Sequence, residues 1–177
     1  MQPAMDQDFG EYARLHQHRL RRAAFLVCGD ANLADDLVQQ ALIKLARHWP
    51  RVRSQNPDAY VRRILYHEAV SSWRRNRREQ LTMIGQVPDV STSAAQSRIA
   101  GEIDMQSALG RLSPQQRAVI VLRYFEDRTE ADTASILGVS VGTVKTQAAR
   151  ALSKLRASIV ATAHDNPPSP TISSEPR

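Results

Sequence analysis

The chain has a single cysteine, Cys28, among 177 residues. That excludes an intramolecular disulfide and any zinc site built from several thiolates. Cys28 sits in the apolar run "AAFLVCGD" and reads as a small core residue. Aromatic residues make up only 5% of the chain, and glycine occurs just 7 times. Strands favour aromatic and β-branched side chains, so this scarcity, beside recurring Ala, Leu, Arg and Gln, points to an all-α fold. No apolar run is long enough to span a bilayer, and the opening "MQPAMDQDFGEY" lacks the basic and apolar pattern of a secretion signal. A cytoplasmic location is expected. Also missing are a phosphate-cradling glycine loop, a Gly-x-Ser-x-Gly elbow and a cluster of metal ligands. His67 has no second His, Cys or acid at ligand spacing, and its neighbour Glu68 would not share its helix face. No metal, no cofactor and no enzymatic activity are expected.

What is present is positive charge and helical periodicity. The formal net charge is +6, with Arg as the main cation. Such a surface suits a phosphate polyanion or an acidic protein face. Apolar residues at Leu15, Leu20, Ala24 and Val27 mark a first helical stripe. After a Gly29-Asp30 break, Leu33, Leu37, Ala41, Leu45 and Trp49 mark a second, which Pro50 is expected to stop. In "NPDAY", Asn56 suits an N-cap and Pro57 the first helical position, and Val61, Ile64, Leu65, Ala69 and Trp73 carry the stripe on.

At "GQVPDVSTSAAQS" the stripe gives way to Gly, Pro, Ser and Thr. Residues 1–84 and 102–161 therefore read as two small helical domains, joined by a flexible linker at 85–101. The end, 162–177, holds "DNPPSPTISSEPR" and reads as a disordered tail. Each block is small for a core of its own. Either its stripes bury efficiently, or one block leans on the other or on a partner.

The second block carries the grammar of a helix-turn-helix. "LSPQQRAVIVLRYFE" opens with Ser113 as N-cap, Pro114 in the first turn and Gln116 at the capping-box position. Val119, Leu122 and then Phe125 or Tyr124 would face a core. Thr129 caps the next helix, with Asp132 at its third position and Gly138 ending it. Ser140 caps a longer helix with an inward stripe of Val141, Val144, Ala148, Leu152, Leu155 and Ile159. The spacing Ala134, Gly138, Val144 is the informative part. It offers a small residue where two helices cross, a glycine for positive φ in the turn, and a β-branched residue to pack back. A plain helical hairpin shares much of this pattern. The outward face does not suit that reading. Thr143, Lys145, Thr146, Gln147 and Arg150 cluster near the helix start, where a major groove is probed, while Lys154 and Arg156 lie further along for phosphates or solvent.

In the first block, "ADDLVQQALIKLARHW" is amphipathic, with Asp35, Asp36, Gln39, Gln40 and Lys44 outside the apolar stripe. It reads as a solvated face with dipole-favoured acids, or as a docking face for another protein. "NPDAYVRRILYHEAVSSWRRNRRE" interleaves Tyr60, Tyr66, His67 and Trp73 with Arg62, Arg63, Arg74, Arg75, Arg77 and Arg78. Bases stack on π faces while guanidinium groups hold a backbone, so the pattern suits single-stranded nucleic acid. Trp73 by itself reads as a core residue.

Together "DDLVQQALIKLARHW", "NPDAYVRRIL…SSWRRNRR" and "LSPQQRAVIVLRYFEDRTEADTASILGVSVGTVKTQAARALSKLR" resemble a sigma-70 family RNA polymerase sigma factor. The class is the small extracytoplasmic-function one, with only region 2 and region 4 domains, and the likeness covers residues 9–157. The resemblance implies that 1–84 is region 2, which binds the polymerase and recognises and melts the −10 element. It implies that 102–161 is region 4, which recognises the −35 element. Asp35, Asp36, Leu37, Gln39, Gln40 and Ile43 would meet the β′ clamp helices of core RNA polymerase. Tyr60, Arg63, His67 and the arginines from Arg74 to Arg78 would handle the −10 strand, with Arg62 beside them. Lys145, Thr146, Ala149 and Arg150 stand at the usual −35 reading positions, flanked by Thr143 and Gln147. Promoter DNA, the polymerase β′ clamp and β flap, and an anti-sigma factor are the implied partners. Gln40 stands where an acid is common, His67 where Asn is common, and "GTVKTQ" replaces "GTVKSR", so the promoter sequence does not carry over.

The rival reading is a stand-alone repressor or activator, with a helix-turn-helix and an N-terminal dimerisation or sensor domain. It predicts tight operator binding by a dimer without polymerase. The Arg-rich, aromatic-bearing helix favours the sigma reading, since a sensor domain has little use for it.

Overall fold

The computed structural model describes residues 2–83 and 105–165. Its elements are α1 (Gln2–Cys28), α2 (Ala31–Val52), α3 (Pro57–Met83), α4 (Met105–Gly110) and α5 (Pro114–Ile120). A π-helical turn (Val121–Phe125), α6 (Glu130–Leu137) and α7 (Val141–Asp165) follow. No strand occurs among the described residues, as the composition leads one to expect. The linker 85–101 lies outside the described residues, as do 166–177. Residues 162–165, read as the start of a tail, instead extend α7.

Local chemistry sets the helix starts. The Asp30 carboxylate accepts from Leu33 N–H at 2.8 Å, Asn56 Oδ1 from Ala59 N–H at 2.9 Å, and Ser140 Oγ from Thr143 N–H at 3.1 Å. Ser113 and Gln116 close a reciprocal capping box ahead of α5. Pro50 does not stop α2, which runs on to Val52. Burial of Trp49 and Val52, with the Arg53 N–H bonded to the Trp49 carbonyl, holds the last turn despite the missing donor.

The stripes of α1, α2 and α3 meet in one core. Leu20, Ala24 and Val27 pack with Leu37, Ala41, Leu45 and Trp49, and with Val61, Leu65 and Ala69. Leu15, expected in the first stripe, is 71% exposed; it stands five residues before Leu20, out of step with the buried face. The core does not end at the first block. Ala118, Val121, Leu122 and Ile136 belong to the same cluster, and α3 packs on both α5 and α6. Arg117, buried, reaches across to the Val27 carbonyl at 3.0 Å, and burial pulls its pKa below the ordinary guanidinium value. So the small second block does lean on the first.

Two expected core positions are displaced. Tyr124 and Phe125 are exposed, and Glu126 is buried at 3% in their place. The cause is the π turn, in which Glu126 N–H bonds the carbonyl of Val121, five residues back. The extra residue in that turn rotates everything after it. In α7, Val144 and Ala151 are fully buried, Ala148, Leu152 and Leu155 are half-buried, and Val141 is exposed. The side chain of Ile159 lies outside the described residues.

Candidate nucleic-acid interface

The helix-turn-helix is built as its spacing demands. Thr129 accepts from Asp132 N–H at 3.0 Å to start α6, and Gly138, at φ +66°, ends it with its N–H on the Ala134 carbonyl. Ala134, Val144 and Val119 then pack together where α5, α6 and α7 meet. That contact fixes which side of α7 faces out. Thr143, Lys145, Thr146, Ala149 and Arg150 are exposed and Gln147 is half-buried. Thr146 donates to the Gly142 carbonyl at 2.9 Å, and Lys145 Nζ lies 3.6 Å from Glu130. Further on, Lys154 reaches Gln116 at 3.4 Å and Arg156 is exposed.

Helix α3 presents two faces. Its apolar stripe enters the core of the first block. A second line, Asp58, Arg62 and Tyr66, runs at four-residue steps under the helix-turn-helix block. Arg62 is 1% exposed and is ion-paired with both Glu126 and Asp58. Asp58 also takes Arg128 at 2.5 Å. Burial opposes both charges, yet the Arg62 and Arg128 guanidinium groups hold the Asp58 carboxyl below its usual range. Glu126 and Asp58 likewise outweigh burial and raise Arg62. The Tyr66 hydroxyl is buried close to Glu126; burial first, and then the Glu126 charge, raise its pKa well above the ordinary phenol.

The sequence-derived site residues thus divide. Arg63 and Arg75 are exposed. Tyr60 is half-buried, its ring 5.8 Å from that of His48. His67 is exposed, yet its ring lies against Gly138, where a Cβ would sit 3.6 Å from Nε2. Arg62 does not face solvent in this arrangement, because its charge is shared by Asp58 of its own helix and Glu126 of the second block. Trp73 is half-buried. The side chains of Arg74, Arg77 and Arg78 lie outside the described residues. Between the two blocks lies a cavity of about 160 Å³. His67 and Ser71 line it from α3, and Thr143 and Gln147 from α7.

On α2, Asp35, Asp36, Gln39 and Gln40 are exposed and Ile43 is 47% exposed. Asp35 pairs with Arg21 at 2.5 Å. Leu37, placed among them by the resemblance, is a core residue at 3% exposure. It stands four residues before Ala41 and eight before Leu45, so one helix face carries all three inward. Sequence reasoning missed Asp58, Glu126 and Arg128. For Asp58 the signal was there, in the four-residue spacing to Arg62 and Tyr66; for Glu126 it was hidden by the π turn. Among the described residues there is no cluster of groups able to hold a metal, and no helix long and apolar enough to cross a membrane.

Residues 12–79 match the family model for sigma-70 region 2, and residues 103–155 match that for sigma-70, region 4. The chain is 35% identical over 150 residues to the RNA polymerase sigma-E factor of Streptomyces avermitilis, covering 84% of this chain and 83% of that one. It is 32% identical over 148 residues to the ECF RNA polymerase sigma factor SigM of Mycobacterium tuberculosis, covering 83% and 74%. Among solved structures, the sigma factor RpoE of Bartonella quintana, crystallised with the anti-sigma factor NepR, is similar at a TM-score of 0.67 and 30% identity. That likeness covers 87% of this chain and 98% of the other.

Proposed function

The chain belongs to the sigma-70 family of RNA polymerase sigma factors, in its extracytoplasmic-function class, and from that premise we propose which face does what. It binds core RNA polymerase and directs initiation at a set of promoters, with no catalysis of its own, in the cytoplasm. The region 2 domain occupies 1–84 and the region 4 domain 102–161. The exposed start of α7 enters the major groove of the −35 element. Arg150 and Lys145 seek guanine or phosphate, Gln147 adenine, and Thr143 and Thr146 a thymine methyl, with Ala149 leaving room for close approach. On α3, Tyr60, Arg63 and His67, with Arg74 to Arg78 beyond, take the −10 strand once it unwinds; Arg62 joins them only if it is released from Glu126. Unstacking a base costs on the order of a few kcal/mol, so a pocket for it and a large partner must offset the loss.

The polymerase clamp is met by α2 through Asp35, Asp36, Gln39, Gln40 and Ile43. Leu37 supports that face from beneath. An anti-sigma protein is a further partner, by analogy with the relative crystallised in such a complex. The observation that carries the reading is the outward, solvent-exposed row of Lys145, Thr146, Ala149 and Arg150, on a helix whose other side is pinned by Val144. A stand-alone repressor has no use for the region 2 match that fills the first block.

The test is to mix the purified chain with core polymerase and map transcript starts on genomic templates. Starts at a common distance from one duplex element are expected. Arg150→Ala should lower discrimination at that element by about 1–3 kcal/mol per base pair read. Failure to associate with core polymerase, or dimeric operator binding that needs no polymerase, would overturn the reading.

A further inference from the structure

We infer that Glu130 is a positioning residue for duplex reading: from the first turn of α6 its carboxylate holds the Lys145 ammonium for a base edge and keeps it off the phosphates. The inference rests on the reading of α7 given above and adds to it a residue from the neighbouring helix. Lys145 Nζ lies 3.6 Å from Glu130 Oε2, with the lysine 63% and the glutamate 38% exposed. An exposed pair of this kind is weak, so it orients the lysine without locking it away from DNA.

The acid is firmly placed. Glu130 is the first residue of α6, directly after the Thr129 cap, where the helix dipole favours a negative charge. Gly138 and the contact of Ala134 with Val144 fix α6 against α7, so the carboxylate stands at a set place beside the reading helix. A lysine without such a neighbour is a mobile point charge that takes any phosphate within reach. Beside Glu130 the pair carries no net charge, so it adds little to sequence-independent binding. The ammonium has three N–H donors. With one spent on the carboxylate, two remain for guanine O6 and N7. The threonines on the same helix are arranged in a similar way. Thr146 donates to the Gly142 carbonyl at 2.9 Å, and the Thr143 and Ser140 hydroxyl oxygens are 2.9 Å apart. Polar atoms directed before DNA arrives favour discrimination over bare affinity.

The test uses holoenzyme made from core polymerase and the full chain. Its probes are promoter fragments with the mapped upstream element intact or changed one base pair at a time. Contacts made by the core are common to all variants and cancel in the differences. Glu130→Gln should steepen the dependence of log K on the log of salt concentration by about one. It should also lower discrimination at one G·C pair about fivefold or more. Both effects must run through the lysine, so in a Lys145→Ala background the same change should alter neither. Asp132→Asn removes an acid from the same turn, one bonded instead to the Thr129 hydroxyl at 2.7 Å, and should leave discrimination at that pair unchanged. An unaltered salt slope and discrimination in Glu130→Gln, an effect that persists without Lys145, or an equal effect from Asp132→Asn overturns the inference. Arg150→Ala separates that failure from a failure of the reading beneath it. Where Arg150→Ala loses discrimination and Glu130→Gln does not, α7 remains the duplex reader and only the positioning role falls; where neither loses any, the reading of α7 falls as well.

Discussion

Glu126 is tolerable in the interior because Arg62 comes to meet it, and Arg62 because two acidic side chains, Glu126 and Asp58, share it. Removing one member strands the other. Glu126→Gln should therefore destabilise by about 3–5 kcal/mol, read as a lower urea midpoint with an unchanged slope. Leu37 and Ile43 separate structure from docking. Leu37→Ala opens a hole beside Ala41 and Leu45 and should cost about 2–5 kcal/mol. Ile43→Asp touches only an exposed position, so melting should hardly move while affinity for core polymerase falls; an unchanged affinity would remove α2 from the docking surface. At Gly138 the space is adequate, since a Cβ would meet the His67 ring at an ordinary 3.6 Å. The backbone is not, at φ +66°. Gly138→Ala should cost about 1–2 kcal/mol for that reason alone.

Elements were the most legible part of this chain. Asn56, Ser113, Thr129 and Ser140 each announce a helix start, because a short polar side chain before a helical stripe has few better uses than an orphan N–H. Ala134, Gly138 and Val144 likewise specify a crossing that is local in sequence. Ser113→Ala should remove the Oγ acceptor for the Gln116 N–H, leaving only the backbone N–H bond to the Gln116 side chain, and cost about 1 kcal/mol, seen in the melting temperature. The π turn at Val121–Phe125 escaped, since no residue in "VLRYF" is excluded from an ordinary helix. Its consequence, Tyr124 and Phe125 turned out and Glu126 turned in, was invisible with it. Leu37 escaped differently. The periodicity placed it in the core stripe, and only the family pattern assigned it to docking. The inter-block contact was illegible for a third reason: it joins residues far apart in sequence, and Asp58, Arg62 and Arg128 look like ordinary surface charges when taken singly.

At the scale of the whole molecule, acid should act on the contact between blocks before it acts on the helices. Asp58 is the titratable group to follow, faced by Arg62 on its own helix, by Arg128 from the second block, and by His16 and Tyr12 from α1. Its folded pKa is depressed below the unfolded value. Its contribution to stability is therefore complete above the ordinary carboxylate pKa of about 3.9, and drains away as pH falls through the lower folded value. The alkaline side has the opposite sign. Tyr12 is raised to about 12, by burial and then by the Asp58 charge. A neutral phenol favours the fold, so its contribution is intact below the ordinary value near about 10 and is lost as pH climbs through the raised one. Denaturant midpoints at fixed ionic strength should accordingly hold level through the neutral range and fall below about pH 4. Asp58→Asn should start lower and show a shallower acid limb, because the group that titrates is gone. Should the two acid limbs run parallel, other carboxylates carry the loss, and Asp58 is not what ties the second block to the first.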